Sequence, residues 1–136
     1  NELFMARANT LVQQYNTFSP IAGMNVNGEL TLGENIGDLS GLAVAHKAYK
    51  IALNGQPAPV LDGYTGDQRF YLGWGQIWAR NYREDELRKR LKTDPHSPSE
   101  YRANGILRNM PAFAEAFDVK AGDKMYLAPD QAVRIW

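Results

Sequence analysis

The chain has no cysteine among its 136 residues. Disulfide bonds, thiolate metal ligands and cysteine nucleophiles are therefore excluded, while the cellular compartment is left open. Neither sign of charge is in excess, because 15 Lys and Arg balance 15 Asp and Glu. No overall field therefore favours nucleic acid or an anionic membrane as a partner. No apolar run approaches the length of a membrane span, and no signal-peptide pattern is present.

The sequence does contain enough hydrophobic residues for a core. At 136 residues and 44% hydrophobic, residues 1–136 are expected to form one compact unit. The sequence begins at Asn1 without a methionine and enters helical periodicity at once. We therefore expect it to be a piece of a longer protein.

The spacing of apolar residues predicts a mainly α fold with long loops and little β structure. Asp67 is expected to cap the third helix. Ser97, Pro98 and Glu100 read as a capping box, with Ser97 as N-cap and Pro98 as the first helical residue. Aromatic residues along the third helix indicate a large packing surface or a pocket wall. The other helices are expected to end near residue 16 and to cover about residues 33–53, 83–92 and 109–117.

Glu34 and Asp38 lie four residues apart at the start of the long helix, so both carboxylates share one face. This spacing predicts that the two acids head a buried stripe, where carboxylates require a compensating positive charge. An alternative is an acidic pair favoured by the helix dipole, which explains Glu34 better than Asp38. Taken alone, the spacing gives metal binding only minority support. The residues expected along the buried stripe are Leu42, Ala45, Tyr49 and Ala52.

His96 lies between two prolines and two residues after Asp94, which is close enough to orient its ring. A carboxylate–histidine pair on a rigid loop suits acid–base chemistry or stabilisation of an oxyanion. Arg102 follows within two turns and could bind a carbonyl or carboxylate group. The alternatives are a surface or packed histidine and an arginine that pairs with Glu100 or an exposed acid. His46 is expected to be a packing residue.

Several motifs together resemble one family. The Glu34-Asn-Ile-Gly-Asp38 string resembles the Glu-Asn-Ile-Ala-Asp motif of the neprilysin and endothelin-converting enzyme zinc metallopeptidases. Asp94-Pro-His96-Ser-Pro, followed by Arg102, looks like their Asp-x-His-Ser-Pro…Arg segment. The resemblance covers essentially the whole chain. Further matches occur, in order, at Gln76-Ile77-Trp78, Asn109, Phe113, Ala116-Phe117, Met125 and Arg134-Ile135-Trp136.

The resemblance implies a role for each matching residue. Glu34 matches the third zinc ligand, and Asp38 matches the carboxylate that orients a zinc-bound histidine. His96 matches the histidine that stabilises the oxyanion, and Asp94 matches its orienting partner. The matches that imply substrate binding are Arg102, which would hold a backbone carbonyl, and Ile77 and Trp78, which would line a primed-side pocket for large apolar side chains.

The resemblance also implies a zinc endopeptidase that acts on oligopeptides and has a thermolysin-like (gluzincin) fold. The family's remaining ligands and its general base come from a His-Glu-x-x-His motif, which this sequence does not contain. Residues 1–136 are therefore expected to be the C-terminal portion of the catalytic domain. Their expected partners are peptides and the missing N-terminal part of the same domain. Alone, this portion is expected to be inactive and to hold no stable Zn²⁺.

Two departures from the family pattern qualify the resemblance. The animal members carry cysteines where this chain has Ala79, Val119 and Val133, which suggests a bacterial protein, either cytoplasmic or extracytoplasmic. Gly37 replaces the usual alanine, at some cost to helix stability. Two other readings remain open. One is a non-catalytic peptide-binding or structural relative that has lost the metal, and the other is a standalone helical interaction domain that folds without a partner segment.

Overall fold

The computed structural model describes residues 1–135, which form six α-helices joined by loops. This part of the chain contains no β-strand beyond two isolated antiparallel bridges, one between Ile21 and Met24 and one between Leu61 and Tyr64. The predicted mainly α fold is confirmed, and Trp136 lies outside the described residues. The helices are α1 (Glu2–Asn16), α2 (Gly28–Ala52), α3 (Gly66–Ile77), α4 (Glu84–Thr93), α5 (Ser99–Leu107) and α6 (Pro111–Ala116).

Helices α1 and α2 cross closely at Gly28. The backbone N–H of Gly28 donates to Oδ1 of Asn16 over 2.7 Å. A Cβ added at this position would overlap the carbonyl oxygen of Val12. Only glycine therefore allows the two helices to approach this closely. The residues that α1 buries are, as its periodicity predicts, Ala8, Leu11, Val12 and Tyr15.

Helix α2 begins five residues before the predicted start at residue 33. Asn27 caps it, because its side chain accepts a hydrogen bond from the backbone N–H of Leu30 over 2.9 Å. The acid in the first turn is Glu29. Glu34 and Asp38 lie deeper in the helix, where the helix dipole no longer accounts for a pair of acids.

The buried face of α2 is also rotated from the predicted one. Leu42 is buried as predicted, but Ala45 and Ala52 are exposed. Asp38 is mostly buried, with 11% of its side chain exposed, whereas 46% of the Glu34 side chain is exposed. The prediction that both acids lie on the buried face is therefore correct for Asp38 and wrong for Glu34. The buried residues of α2 are Gly28, Thr31, Asn35, Leu39 and Leu42.

Helix α3 starts from a capping box, but its members differ from the prediction. Thr65 is the N-cap, and its side chain and that of Gln68 exchange hydrogen bonds with each other's backbone N–H groups. Asp67 is therefore not the cap. Its carboxylate binds Nε2 of His46 at 3.0 Å and Nζ of Lys50 at 3.1 Å, which ties α3 to the second half of α2. His46 also stacks on a buried tyrosine ring, as expected of a packing residue.

Helix α5 begins at Ser99, one residue after Pro98, which was predicted to be its first residue. Its N-cap is Pro98, and no side chain caps its N-terminus. The capping box predicted for Ser97 and Glu100 is therefore wrong. Ser97 is 3% exposed, and its hydroxyl instead donates to Oδ1 of Asn35 over 2.8 Å. This buried bond ties the loop that carries His96 to the middle of α2.

Candidate active site

Asp94 holds His96 through the backbone and through the ring. The Oδ1 atom of Asp94 accepts hydrogen bonds from the His96 backbone N–H at 2.9 Å and from Nδ1 at 2.8 Å. Its other oxygen, Oδ2, accepts from Nη1 of Arg90 at 2.8 Å. Partial burial raises the pKa of Asp94, but the His96 hydrogen bonds and the Arg90 charge outweigh it and hold this pKa below its ordinary value of 3.8. The Asp94 carboxylate therefore stays ionised. Because it binds Nδ1 of His96, the other ring nitrogen, Nε2, points away from Asp94.

The other ring nitrogen of His96, Nε2, lies next to Glu34, the acid predicted to be a zinc ligand. Nε2 of His96 lies 3.3 Å from Oε2 of Glu34. Both side chains are about half exposed, at 45% and 46%. The structure thus brings together two residues from separate motifs, one on α2 and one on the loop before α5.

Arg102 forms a bidentate pair with Asp38. Nε and Nη2 of the guanidinium lie 2.7 and 2.8 Å from the two carboxylate oxygens, and both side chains are largely buried. These hydrogen bonds raise the pKa of Arg102, although burial opposes the effect. Cζ of Arg102 also lies 4.1 Å from the centre of the Trp78 ring. The alternative that Arg102 pairs with Glu100 is therefore wrong.

A pocket of about 190 Å³ opens beside His96 and Arg102. Trp78, predicted to line a substrate pocket, is part of its wall. Ile77, predicted to line the same pocket, is not among the residues of this wall and is 61% exposed. The lining residues are Trp78, Arg80, Tyr82, Arg90, Asp94, His96, Ser97, Pro98, Ser99 and Arg102.

Three further residues contribute to this site and were not predicted from the sequence. Arg90 is four residues before Asp94 on an exposed helix, and this spacing is the signal that predicts their ion pair. Asn35 is 1% exposed and is held by Thr31 and Ser97, and its place in the Glu34-Asn-Ile-Gly-Asp38 motif is the signal that could have identified it. Tyr82 contacts the start of α5, with its hydroxyl 2.7 Å from the Ser99 hydroxyl.

The described residues supply one suitable oxygen ligand for zinc rather than a full set. Within residues 1–135, no group of three or more His, Cys, Asp or Glu side chains could hold a metal ion. Glu34 is half exposed, and carboxylate oxygen is a ligand type that zinc accepts. The site therefore fits zinc only if further ligands come from elsewhere.

Comparisons with known proteins agree on one family. Residues 1–133 match the profile described as Peptidase family M13. The chain is 40% identical to endothelin-converting enzyme 1 of Rattus norvegicus and 37% identical to neprilysin of Homo sapiens, over 99% and 98% of this chain. It spans only 18% of the length of each relative.

Solved structures show the same fold. An inhibitor complex of the zinc metalloprotease Zmp1 of Mycobacterium tuberculosis superposes with a TM-score of 0.97 at 48% identity, covering 99% of this chain and 22% of that one. PepO of Lactobacillus rhamnosis superposes with a TM-score of 0.81 at 31% identity, covering 99% of this chain and 20% of that one.

Proposed function

The chain belongs to Peptidase family M13, a family of zinc metallopeptidases, and from this premise we propose that the whole protein is a zinc endopeptidase that hydrolyses oligopeptides. The observation that carries the proposal is the meeting of Glu34 and His96. Their side chains lie 3.3 Å apart, and Asp94 supports the histidine from behind. An exposed carboxylate ligand and an oriented imidazole at one point suit hydrolysis of a carbonyl group.

In this proposal, the chain's own residues position the substrate and stabilise developing charge. His96 donates a hydrogen bond from Nε2 to the carbonyl oxygen as it gains negative charge, and Asp94 keeps the ring in the required orientation. Two of the five N–H groups of Arg102 are bound by Asp38, which leaves Nη1 available for a peptide carbonyl. Trp78 supplies an apolar wall beside it.

Glu34 would hold the zinc ion from this chain, and Asp38 would orient a histidine ligand supplied from elsewhere. When bound, zinc polarises the scissile carbonyl and activates a water molecule. We propose that the remaining ligands lie on a His-Glu-x-x-His helix outside residues 1–136, so that residues 1–136 are inactive alone. An enzyme and a relative that has lost its metal would then differ in that helix rather than in this chain.

The exposed face of α2 supports the proposal that another part of the protein packs here. Two large apolar side chains on it are open to solvent, with Val44 67% and Ile51 68% exposed. A Cβ built at Gly33, Gly37 or Gly41 meets no atom within 4 Å. Such a face permits close approach of a second helix next to Glu34. A standalone interaction domain would instead fold cooperatively from residues 1–136 alone.

The test is hydrolysis of a fluorogenic peptide by the full-length protein. We expect activity that is lost on chelation and restored by Zn²⁺. His96→Ala should lower kcat by about 100-fold or more, because an oxyanion donor is removed. The matched control is His46→Ala, which removes the chain's other histidine, bound to Asp67 away from this pocket.

Three outcomes would contradict the proposal. They are peptide hydrolysis without zinc, no hydrolysis by the zinc-loaded protein, and full activity after His96→Ala. A full-length protein that binds peptides but takes up no Zn²⁺ when the ion is supplied would favour the non-catalytic relative.

A further inference from the structure

Arg90 is the cation that binds Asp94, the acid that supports His96. It lies on α4, and its Nη1 donates to Oδ2 of Asp94 over 2.8 Å. Oδ1, the other carboxylate oxygen, accepts both hydrogen bonds that hold His96. Rotation of the Asp94 carboxylate would break the bonds at both oxygens. The position of the imidazole therefore depends on a residue that does not touch it.

The Arg90 side chain is itself held in place from two sides. Its Nε donates to Oε1 of Glu86 over 2.9 Å, one turn earlier on the same helix. Its Cζ lies 5.7 Å from the centre of the Tyr82 ring. Tyr82 in turn is hydrogen-bonded to the Ser99 hydroxyl at the start of α5. A flexible side chain already restrained at these two points loses little further entropy when it binds Asp94.

A second arginine of the same helix provides an internal comparison. Arg88 forms the same type of pair with Glu84, over 3.0 Å from Nε, four residues earlier in α4. Both arginines are about equally exposed, at 44% for Arg88 and 40% for Arg90. Only Arg90 continues to an acid that contacts a candidate catalytic residue. Each of the two arginines therefore stabilises α4 through an ion pair within the helix, but only Arg90 also contacts Asp94.

We propose that Arg90 is a positioning residue for the hydrolysis, acting through Asp94 to hold His96 in its productive orientation. This inference rests on the proposed function for its kinetic part. Its structural part, that Arg90 restrains the His96 loop, is independent of zinc and of activity.

The structural test is hydrogen–deuterium exchange of the full-length protein. In a peptide of residues 94–98, the two prolines lack a backbone N–H and the N-terminal amine of Asp94 does not retain deuterium, so only the amides of His96 and Ser97 report. Arg90→Ala should speed exchange in this peptide by about tenfold, while Arg88→Ala should leave it unchanged. Equal exchange in the wild type and in Arg90→Ala would overturn the proposal.

The kinetic test is a double-mutant cycle with Asp94→Ala. Arg90→Ala should lower kcat about tenfold with little change in KM, and Arg90→Lys should recover part of the loss. In the Asp94→Ala background, Arg90→Ala should have no further effect. Arg88→Ala is again the control and should keep kcat within about twofold.

Two kinetic results would overturn the proposal. One is the same loss of kcat from Arg90→Ala in both backgrounds, which indicates general destabilisation. The other is a raised KM with kcat unchanged, which indicates that Arg90 binds substrate directly from the pocket wall. A wild-type protein that cleaves no peptide contradicts the proposed function instead, and the exchange experiment then still decides whether Arg90 restrains the loop.

Discussion

Arg102 neutralises Asp38 with two parallel hydrogen bonds of 2.7 and 2.8 Å, so the buried acid of α2 has its partner within this chain. Asp38 also matches the carboxylate expected to orient a zinc-bound histidine, and Arg102 matches the expected substrate-binding arginine. In the proposed function, this one ion pair would therefore join the metal side of the site to the substrate side. A change at either residue should affect both.

Arg102→Ala is expected to destabilise the protein by about 3 kcal/mol, because it leaves the carboxylate of Asp38 buried without its cation. Arg102→Lys should cost less, since it keeps the charge but loses the bidentate geometry. Urea unfolding of the purified protein measures both. Asp38→Asn combined with Arg102→Ala should be less harmful than Arg102→Ala alone. Equal stability of Arg102→Ala and the wild type would contradict the buried pair.

The sequence was sufficient to predict which segments form the site. Glu34, Asp38, Asp94, His96 and Arg102 were each proposed from motifs, and the structure brings them to one region. The predicted roles remain predictions until activity is measured. Local patterns supplied the geometry within each motif, such as a helix turn between two acids, and the family resemblance connected the separate motifs.

The contacts between segments were less predictable. The start of α2 is set by the Asn27 side chain and by the crossing at Gly28. Neither feature changes the spacing of apolar residues, so that spacing does not predict where the helix begins. The buried face was misplaced because Ala45 and Ala52 are too small to require burial. The partner of Arg102 depends on how α2 and α5 meet, which is a property of the tertiary fold.

The crossing of α1 and α2 gives opposite predictions for two glycines. Gly28→Ala should destabilise the protein by about 1–3 kcal/mol, because the new methyl group overlaps the Val12 carbonyl. Gly37→Ala should stabilise it by about 0.5–1 kcal/mol, because a Cβ there meets no atom of this chain within 4 Å and alanine, the residue of the family pattern, favours the helix. Urea unfolding compares the two variants directly. A similar cost at both positions would contradict the close crossing.

Asp67 predicts an acid-sensitive contribution to stability. Burial raises its pKa, but hydrogen bonds from His46 and Lys50 outweigh this and lower it below the ordinary value of 3.8. A folded-state pKa below the unfolded one stabilises the fold fully above the unfolded value. That contribution is lost as the pH falls through the folded value. The stability difference between the wild type and Asp67→Asn should therefore shrink as the pH falls below about 4.

Urea unfolding at a series of pH values measures this difference. Asp130→Asn, at an exposed carboxylate in the C-terminal loop, is the control and should change stability little at any pH. A difference for Asp67→Asn that grows as the pH falls from 5 to 3 would give the opposite sign and contradict the ion pairs with α2.

The last prediction concerns the hydroxyl of Ser97, which donates a hydrogen bond to the buried side chain of Asn35. Asn35 is 1% exposed, and its Oδ1 accepts from Ser97 over 2.8 Å. Ser97→Ala leaves that oxygen buried without this donor and should cost about 2 kcal/mol. In an Asn35→Ala background the same change should cost much less, since no acceptor remains. Because the bond also anchors the loop of His96, exchange at the His96 amide should rise in Ser97→Ala. Equal costs in both backgrounds would show that the two side chains do not depend on each other.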